Sequence, residues 1–312
     1  MTILITGATG LLGSHLVERL QNRRVVVLVR DVDMQSEYFR SKYGNHIIEV
    51  RGDLSDSGLI ERVIVQYEVS QVFHLGAQTL VGCGLRLPLE TFESNIRGTY
   101  LLLEACRMHM DLVKHVVIAS SDKAYGTSLK LPYIEEMPLH GSSPYDVSKS
   151  CCDLLAQSYL RTYKLPVAIA RCGNLFGGGD LNFSRLIPGT IQSLLDGKVP
   201  EIRSDGTYLR DYLYVKDAVS GYLMLAEKRL GGAFNFGPGQ PRSVLAVVNS
   251  ISEIMGSLVE PIILDEVRGE IRDQYLDSTK ARRVLGWEPE YTFKEALLET
   301  VEWYSKVMSE TR

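Results

Sequence analysis

Two short segments of the chain carry groups that can exchange protons with a substrate. Ser121, Asp122 and Lys123 follow an apolar run that is typical of a β-strand. Tyr145 and Lys149 stand four residues apart, directly after a proline, and if that proline opens a helix they lie on one face of it. An ammonium near a phenol lowers the pKa of the phenol, which makes it a usable base near neutral pH. Taken alone, the Tyr-x-x-x-Lys spacing is equally that of two surface side chains.

The N-terminus has the pattern of a dinucleotide-binding loop. A short strand from Ile3 to Thr6 leads into three glycines spaced G-x-x-G-x-x-G, and a helical pattern follows from Ser14 to Leu20. Glycines permit a tight turn and a close approach of backbone to a pyrophosphate, which the N-terminus of a helix attracts. A plain turn is the alternative, but the position between a strand and a helix favours dinucleotide binding. The loop residues expected to contact the cofactor are Gly7, Thr9, Gly10, Leu11, Leu12 and Gly13.

Residues at the ends of the next strands are candidates for the rest of the cofactor. Arg30 and Asp31 follow the second predicted strand, where this kind of fold meets the adenosine ribose. An acid there favours the free 2′-hydroxyl of NAD, whereas an arginine can accept the 2′-phosphate of NADP, so both cofactors stay open. Asp53 follows the third strand and either hydrogen-bonds adenine or caps a turn. The remaining candidates for cofactor contacts are Leu54, Leu75, Gly76, Ala77 and Thr79.

Strands alternate with helices through the first half of the chain. This rhythm, which includes a continuous helix from Leu89 to Met108, predicts a Rossmann-like, doubly wound parallel sheet. Beyond residue 171 the pattern changes to a glycine-rich loop over 173–180 and a helix over 183–195 that Pro188 kinks or breaks. We therefore predict an α/β protein with a dinucleotide-binding domain over 1–173, to which part of 205–235 returns. A smaller mixed α/β substrate lobe is expected over 174–312.

The composition argues against several classes of protein. A chain of 312 residues with 45% hydrophobic and 23% charged residues is ordinary for a globular protein, and a net charge of −4 does not suggest nucleic-acid binding. No apolar run approaches the ~20 residues of a membrane span, and the first residues do not resemble a signal peptide. Five cysteines without a C-x-x-C pair make disulfides and a zinc site unexpected, so we expect a cytoplasmic protein without a metal.

These motifs together resemble the extended short-chain dehydrogenase/reductase family, and within it the NAD-dependent epimerases and dehydratases that act on nucleotide sugars. The resemblance covers nearly the whole chain and is carried by several separate motifs. The motifs are Gly7-x-x-Gly10-x-x-Gly13, His74-Leu75-Gly76-Ala77, Tyr145-x-x-x-Lys149, Arg171-x-Gly173-Asn174, Arg210-Asp211-x-x-Tyr214-Val215-x-Asp217 and Leu285-Gly286-Trp287.

Within that family, the triplet Ser121-Asp122-Lys123 is most similar to CDP-glucose 4,6-dehydratases. Simple 4-epimerases are expected to have small, non-ionisable residues after the serine, and dTDP-glucose 4,6-dehydratases have Thr-Asp-Glu. The segments 77–81 and 173–180 strengthen the likeness to the CDP-glucose group. The chain is shorter than is usual for that group, which leaves the nucleotide base open. Arg30 stands where an acid is expected, which leaves NAD against NADP open.

The resemblance implies roles for five catalytic residues. Tyr145 would take the proton of the sugar 4-hydroxyl, with Lys149 lowering its pKa and Ser121 hydrogen-bonding the same oxygen. Lys123 would then remove the C5 proton and Asp122 would protonate the departing 6-hydroxyl. That requires a neutral Lys123 and a protonated Asp122, the opposite of what their adjacent charges favour. A turn cap and a solvent-exposed lysine are the ordinary alternatives.

The resemblance also implies a nucleotide-diphosphate sugar as the substrate. Arginines could clamp its diphosphate, where a guanidinium fork fits better than an ammonium, or they could form surface ion pairs with neighbouring acids. The residues expected at the substrate are Asn174, Arg185, Pro188, Arg210 and Arg272.

The sequence is compatible with three functions. A nucleotide-sugar 4,6-dehydratase is favoured, a nucleotide-sugar 4-epimerase is the alternative, and a non-catalytic NAD(P)-sensing protein is a remote third. Family members form a four-helix dimer interface from the helices expected around 89–108 and 143–162, so a homodimer is expected. Neither nucleic acid nor a membrane is expected as a partner.

Overall fold

The computed structural model describes residues 1–41, 43–267 and 270–311. Strands β1 to β14, in chain order, are Thr2–Thr6, Arg24–Val29, Ile47–Arg51, Val69–His74, His115–Ser121, Val167–Cys172, Asn174–Phe176, Glu201–Ile202, Leu209–Arg210, Tyr212–Tyr214, Gly232–Phe236, Arg242–Ser243, Ile262–Ile263 and Asp273–Gln274. Helices α1 to α12 are Leu11–Leu20, Glu37–Arg40, Ser57–Gln66, Val81–Arg86, Pro88–Phe92, Gly98–Met108, Pro144–Tyr163, Leu186–Leu195, Val215–Lys228, Val244–Ile254, Thr279–Leu285 and Phe293–Thr311.

A seven-stranded sheet forms the centre of the first lobe. Its strand order is β11-β6-β5-β4-β1-β2-β3, and every neighbouring pair is parallel. The strand order reverses between β1 and β4, and ligands of such sheets bind outside the carboxyl ends of the strands at that point. The predicted Rossmann-like, doubly wound fold is confirmed. The segment 232–236 adds the edge strand β11 beside β6.

Apolar residues cover both faces of this sheet. Successive side chains of a strand point to opposite faces, so Ile3 and Ile5 belong to one core cluster and Leu4 belongs to the other. The first cluster continues into the C-terminal part of the chain, where the fully buried Trp287 joins it. The C-terminal lobe therefore packs directly on one face of the sheet, which fixes its position relative to the strand ends. The division into domains at residue 173 stays a prediction.

Three small sheets build the second lobe. Strands β7 and β10 form a parallel pair, β8 pairs with β13, and β9 lies between β12 and β14. In the last of these sheets Arg210 lies opposite Gln274. Among the described residues, no helix is both long enough and apolar enough to cross a membrane.

The structure differs from the sequence prediction at several places. The glycine-rich segment 173–180 contains a short strand, β7, because β10 supplies a pairing partner from distant sequence. Pro188 is the third residue of α8 and does not break it, since a first-turn N–H has no partner within the helix to lose. The helix expected from Leu89 to Met108 is interrupted by a π-helical turn, Glu93–Arg97, between α5 and α6. Helices α2, α3 and α4 were not predicted.

Candidate active site

One large cleft of about 2020 Å³ runs from the glycine loop, past the ends of β4 and β5, into the second lobe. All predicted site residues except Asp122 and Arg272 line this cleft. They come from segments as far apart as Gly7 and Arg210. The parallel sheet brings them together because the carboxyl ends of its strands share one edge.

The glycine loop has the shape of a cradle for a pyrophosphate. Gly7 has φ +72°, and a Cβ there would lie 2.6 Å from the backbone nitrogen of Gly76. A Cβ on Gly13 would lie 2.1 Å from the Gly7 carbonyl oxygen. Gly10 precedes α1 and contributes no side-chain capping bond, so the first N–H groups of the helix are left to a ligand. The loop therefore fits a dinucleotide, which approaches the backbone where side chains are absent.

Three charged groups meet at the end of the cleft that follows β2 and β3. Arg30 Nε donates a hydrogen bond of 2.6 Å to Asp31 Oδ2, and it lies 4.0 Å from Asp53 Oδ2. Burial raises the pKa of Asp53, but hydrogen bonds from Ser55 and the charge of Arg30 outweigh it and hold that pKa below its ordinary value. The Arg30 guanidinium therefore already faces the carboxylates of Asp31 and Asp53.

Tyr145 and Lys149 project from the first turns of α7. Ser143 caps this helix by accepting from the N–H of Asp146, and Pro144 is its first residue, which confirms the predicted helix start. Lys149 is buried, its Nζ donates to the Ala119 carbonyl oxygen at 2.9 Å, and it lies 5.9 Å from the centre of the Tyr145 ring. The β5 backbone thus holds the ammonium beside the phenol.

The fully buried His74 lies beneath this pair. Its Nδ1 is 2.8 Å from Thr6 Oγ1 and its Nε2 is 3.0 Å from Thr99 Oγ1. Burial, with the charge of Lys149, lowers the pKa of His74 to about 3, so the ring stays neutral. Thr6 Oγ1 also accepts from the N–H of Gly76, which fixes the backbone at the β1–β4 switch point. His74 therefore has a structural role, holding β1, β4 and α6 together through these hydrogen bonds.

Asp122 and Lys123 form the 3₁₀ turn that ends β5. Asp122 is almost completely buried; its Oδ1 accepts from the Ser121 hydroxyl at 3.0 Å, and its Oδ2 has no hydrogen-bond partner in the described chain. Lys123 Nζ lies on the cleft and donates to Gln274 Oε1 at 2.5 Å. Burial raises the pKa of Asp122 and lowers the pKa of Lys123. The surroundings therefore shift both groups toward their neutral forms, against the effect of their mutual attraction.

A search among known proteins identifies the family. Residues 4–300 match the family model described as GDP-mannose 4,6-dehydratase. The chain belongs to the GDP-mannose 4,6-dehydratase family. A dTDP-glucose 4,6-dehydratase of Haemophilus influenzae is 31% identical over 97% of this chain and 98% of its own length.

Solved structures of the same fold include both dehydratases and epimerases. UDP-glucose 4-epimerase of Thermotoga maritima, solved with UDP-glucose, superposes with a TM-score of 0.91 at 30% identity and covers 99% of this chain and 100% of its own. dTDP-glucose 4,6-dehydratase of Bacillus anthracis, solved with NAD, gives 0.88 at 28% identity over 98% and 97%. The resemblance to the epimerase/dehydratase family is confirmed; the superposed structures include both activities, whereas the named sequence relatives are 4,6-dehydratases.

The two arginines predicted at the substrate diphosphate have different surroundings. In this member of the GDP-mannose 4,6-dehydratase family, Arg210 lines the cleft, but its Nη atoms donate to the carbonyl oxygens of Leu209, Ile271 and Arg272. Arg272 is not part of the cleft wall. Its exposed side chain lies 3.5 Å from Asp205, so the structure favours the surface ion pair for this residue. Arg210 as a diphosphate ligand stays a prediction.

Several polar side chains of the site were not identified from the sequence. Lys198, Arg203 and Tyr208 line the second-lobe end of the cleft, where their short loops gave no recognisable motif. Asn95 lies in the π-helical turn; its side chain accepts from Gln78 N–H at 2.7 Å and donates to Ser148 Oγ at 2.9 Å. A π-helical turn often marks a functional site, and here it joins the loop after β4 to α7. Gln274 was also missed.

Proposed function

We propose that this protein is a nucleotide-sugar 4,6-dehydratase that makes a nucleotide-linked 4-keto-6-deoxy sugar. The observation that carries the proposal is the Asp122–Lys123 pair, which burial shifts toward neutral forms next to the Tyr145–Lys149 pair. A 4-epimerase needs only Tyr145, Lys149 and Ser121. A dehydratase also needs an acid and a base for the elimination, and the first pair has the chemistry for both.

NAD is proposed as the cofactor. The glycine cradle fits a dinucleotide, and the two carboxylates that face Arg30 would repel the 2′-phosphate of NADP. Solved relatives such as the Bacillus anthracis dehydratase are complexes with NAD. When bound, NAD would accept the hydride from C4 and later supply it to C6. NADP is the alternative cofactor, because Arg30 could accept its 2′-phosphate.

Tyr145, as phenolate, accepts the proton of the sugar 4-hydroxyl. Lys149, one turn further along α7, stabilises that phenolate. The resulting 4-ketone makes the C5–H bond acidic, so the neutral amine of Lys123 can remove that proton. Asp122 lies behind the cleft wall and shares a hydrogen bond with Ser121. When Asp122 is protonated, it can give its proton to Ser121 Oγ while Ser121 gives its own hydroxyl hydrogen to the departing 6-hydroxyl, so water leaves and Asp122 becomes a carboxylate. We propose this relay in place of the direct contact of Asp122 with the 6-hydroxyl, and of Ser121 with the 4-oxygen, that the sequence led us to expect.

The substrate is proposed to be a nucleoside-diphosphate glucose. The likeness of Ser121-Asp122-Lys123 to CDP-glucose 4,6-dehydratases favours CDP-glucose. Named relatives include dTDP-glucose and UDP-glucose 4,6-dehydratases, so both of those sugars belong in the test. Asn174, Arg185 and Pro188 line the part of the cleft that we assign to this substrate.

A homodimer is proposed, formed by α5–α6 and α7. These helices expose large apolar side chains, with Leu89 at 70% and Leu154 at 54% of their full accessible surface. Apolar patches that a monomer leaves in water mark association surfaces. Packing of these helices against their copies would give the four-helix interface expected from the sequence.

Product mass tests the proposed reaction. Purified protein with NAD, and separately with NADP, is incubated with CDP-, dTDP- and UDP-glucose, UDP-N-acetylglucosamine and GDP-mannose. A product lighter by one water is expected, most rapidly from CDP-glucose with NAD. A product of unchanged mass but inverted C4 would establish the 4-epimerase. Tight NAD binding without turnover of any of the five sugars would favour the sensing protein.

A further inference from the structure

A buried glutamine of the second lobe holds the amine of Lys123. Gln274 lies in β14, opposite Arg210 of β9, and its side chain is fully buried. Its Oε1 accepts the hydrogen bond from Lys123 Nζ at 2.5 Å, across 151 positions of sequence. This contact joins the turn after β5 in the first lobe to the short β12–β9–β14 sheet in the second.

The other end of the same amide has no partner. Gln274 Nε2 is buried and makes no hydrogen bond within the described residues. An unpaired buried donor destabilises the folded state, and an apolar side chain of similar shape would avoid that cost. Packing therefore does not explain why a glutamine occupies this position. Methionine has a similar volume and would fill the same space. Glutamine differs from it by the carbonyl oxygen that accepts the hydrogen bond from Lys123.

An uncharged acceptor suits an amine that must act as a base. A neutral amine has two N–H bonds and one lone pair, whereas an ammonium has three N–H donors and no lone pair. The Gln274 carbonyl can fix one N–H and thereby set the direction of the lone pair. A carboxylate in its place would hold the nitrogen too, but its charge would favour the ammonium. Gln274 thus gives orientation without adding charge.

We propose that Gln274 is a positioning residue that orients the Lys123 amine for removal of the sugar C5 proton. The proposal rests on the function proposed above, in which Lys123 is the base of the elimination. Gln274 is not part of the cleft wall, so it acts through Lys123 and does not contact the substrate.

Two variants separate orientation from charge. Gln274→Met removes the acceptor at similar volume, and we expect kcat for dehydration to fall at least about tenfold while KM changes less than about twofold. Gln274→Glu keeps an acceptor but adds a charge, so the rising limb of the pH–rate profile should move up by about one pH unit. Gln71→Met is the matched control, because Gln71 is another buried glutamine and lies at the start of β4. The control should change neither quantity.

A second readout needs no substrate. Acetic anhydride labels neutral amines, so labelling of Lys123 across pH, measured by peptide mass spectrometry, reports its protonation. Gln274→Glu should raise the labelling midpoint by about one pH unit. Gln274→Met should label faster than wild type at a given pH, because its amine is no longer tethered. If the methionine variant does not fold, Gln274→Asn, which withdraws the amide by one methylene, should show the same faster labelling.

The two proposals fail in different ways. Wild-type labelling curves and wild-type kcat in every folded Gln274 variant would overturn the positioning role. A wild-type protein that forms no dehydrated product would overturn the proposed function, and shifted labelling in the Gln274 variants would still support the contact with Lys123. Dehydration by wild type, together with the expected shifts, supports both.

Discussion

Replacing Gly10 with alanine should weaken NAD binding and leave the fold intact. Gly10 has φ −81° and ψ 175°, a conformation open to any residue, and a Cβ there would meet only the Gly7 carbonyl oxygen, at 3.5 Å. Alanine restricts the unfolded chain more than glycine does, which stabilises the folded state by about 0.4–1 kcal/mol. As an N-cap, alanine is less favourable than glycine by a similar amount. The two effects nearly cancel, so the free energy of unfolding should change by less than about 1 kcal/mol.

The added methyl group would occupy the space where the pyrophosphate approaches the helix. We expect at least a tenfold increase in the Kd for NAD, or about 1.4 kcal/mol, measured by isothermal titration calorimetry. Gly13→Ala is the contrasting variant, since its Cβ would lie 2.1 Å from Gly7 O and 2.7 Å from the Cα of Ala8. That overlap should cost about 1–3 kcal/mol of stability in urea unfolding. Folded Gly10→Ala protein with wild-type affinity for NAD would refute this assignment of the loop.

Three further predictions concern stability, pH and assembly. Asp153→Ala leaves the buried guanidinium of Arg171 without its 2.7 Å partner and should cost about 3–5 kcal/mol in urea unfolding; a loss below about 1 kcal/mol would contradict this. Burial raises the pKa of Asp211 from 3.8 to about 7, so the folded chain retains a proton there that the unfolded chain has released, and stability falls as pH rises through that interval. The Asp211→Asn variant has no proton to lose there. Its free energy of unfolding, measured relative to wild type, should therefore increase from pH 4 to pH 7, and a difference that stays constant with pH would refute the assignment. Leu154→Glu should convert the dimer to a monomer in sedimentation velocity, whereas Leu129→Glu, at an exposed site outside the proposed interface, should not; a Leu154→Glu dimer would contradict the proposed interface.

The central sheet could be predicted because its strands are marked locally. The β-branched run of β2 and the glycines after β1 are typical of a strand buried on both faces and of a dinucleotide loop. Strand β4 begins at Val69 and includes the polar Gln71, which is buried beside His115. That pairing depends on the neighbouring strand, which local sequence does not show.

Much of the site could be predicted, and the rest depended on contacts between the lobes. The Tyr145–Lys149 spacing on a proline-started helix is a local pattern, and the structure reproduces it. The buried position of Gln274 depends on β9, the pairing partner of its strand, which lies about sixty residues away, and the exposed Arg272 precedes that strand. The pKa directions at Asp122 and Lys123 likewise depend on burial by both lobes, since their adjacent charges alone predict the opposite.

The central claim is that hydride leaves C4 of the sugar and returns to C6. The measurement that tests it most directly follows deuterium from C4-deuterated nucleoside-diphosphate glucose into the product by NMR. A 4,6-dehydratase should place the deuterium on the new C6 methyl group and, in ordinary water, take a solvent proton at C5. Deuterium that stays at C4, in a product with inverted configuration and no loss of water, would contradict the dehydratase and make Asp122 and Lys123 incidental to the reaction.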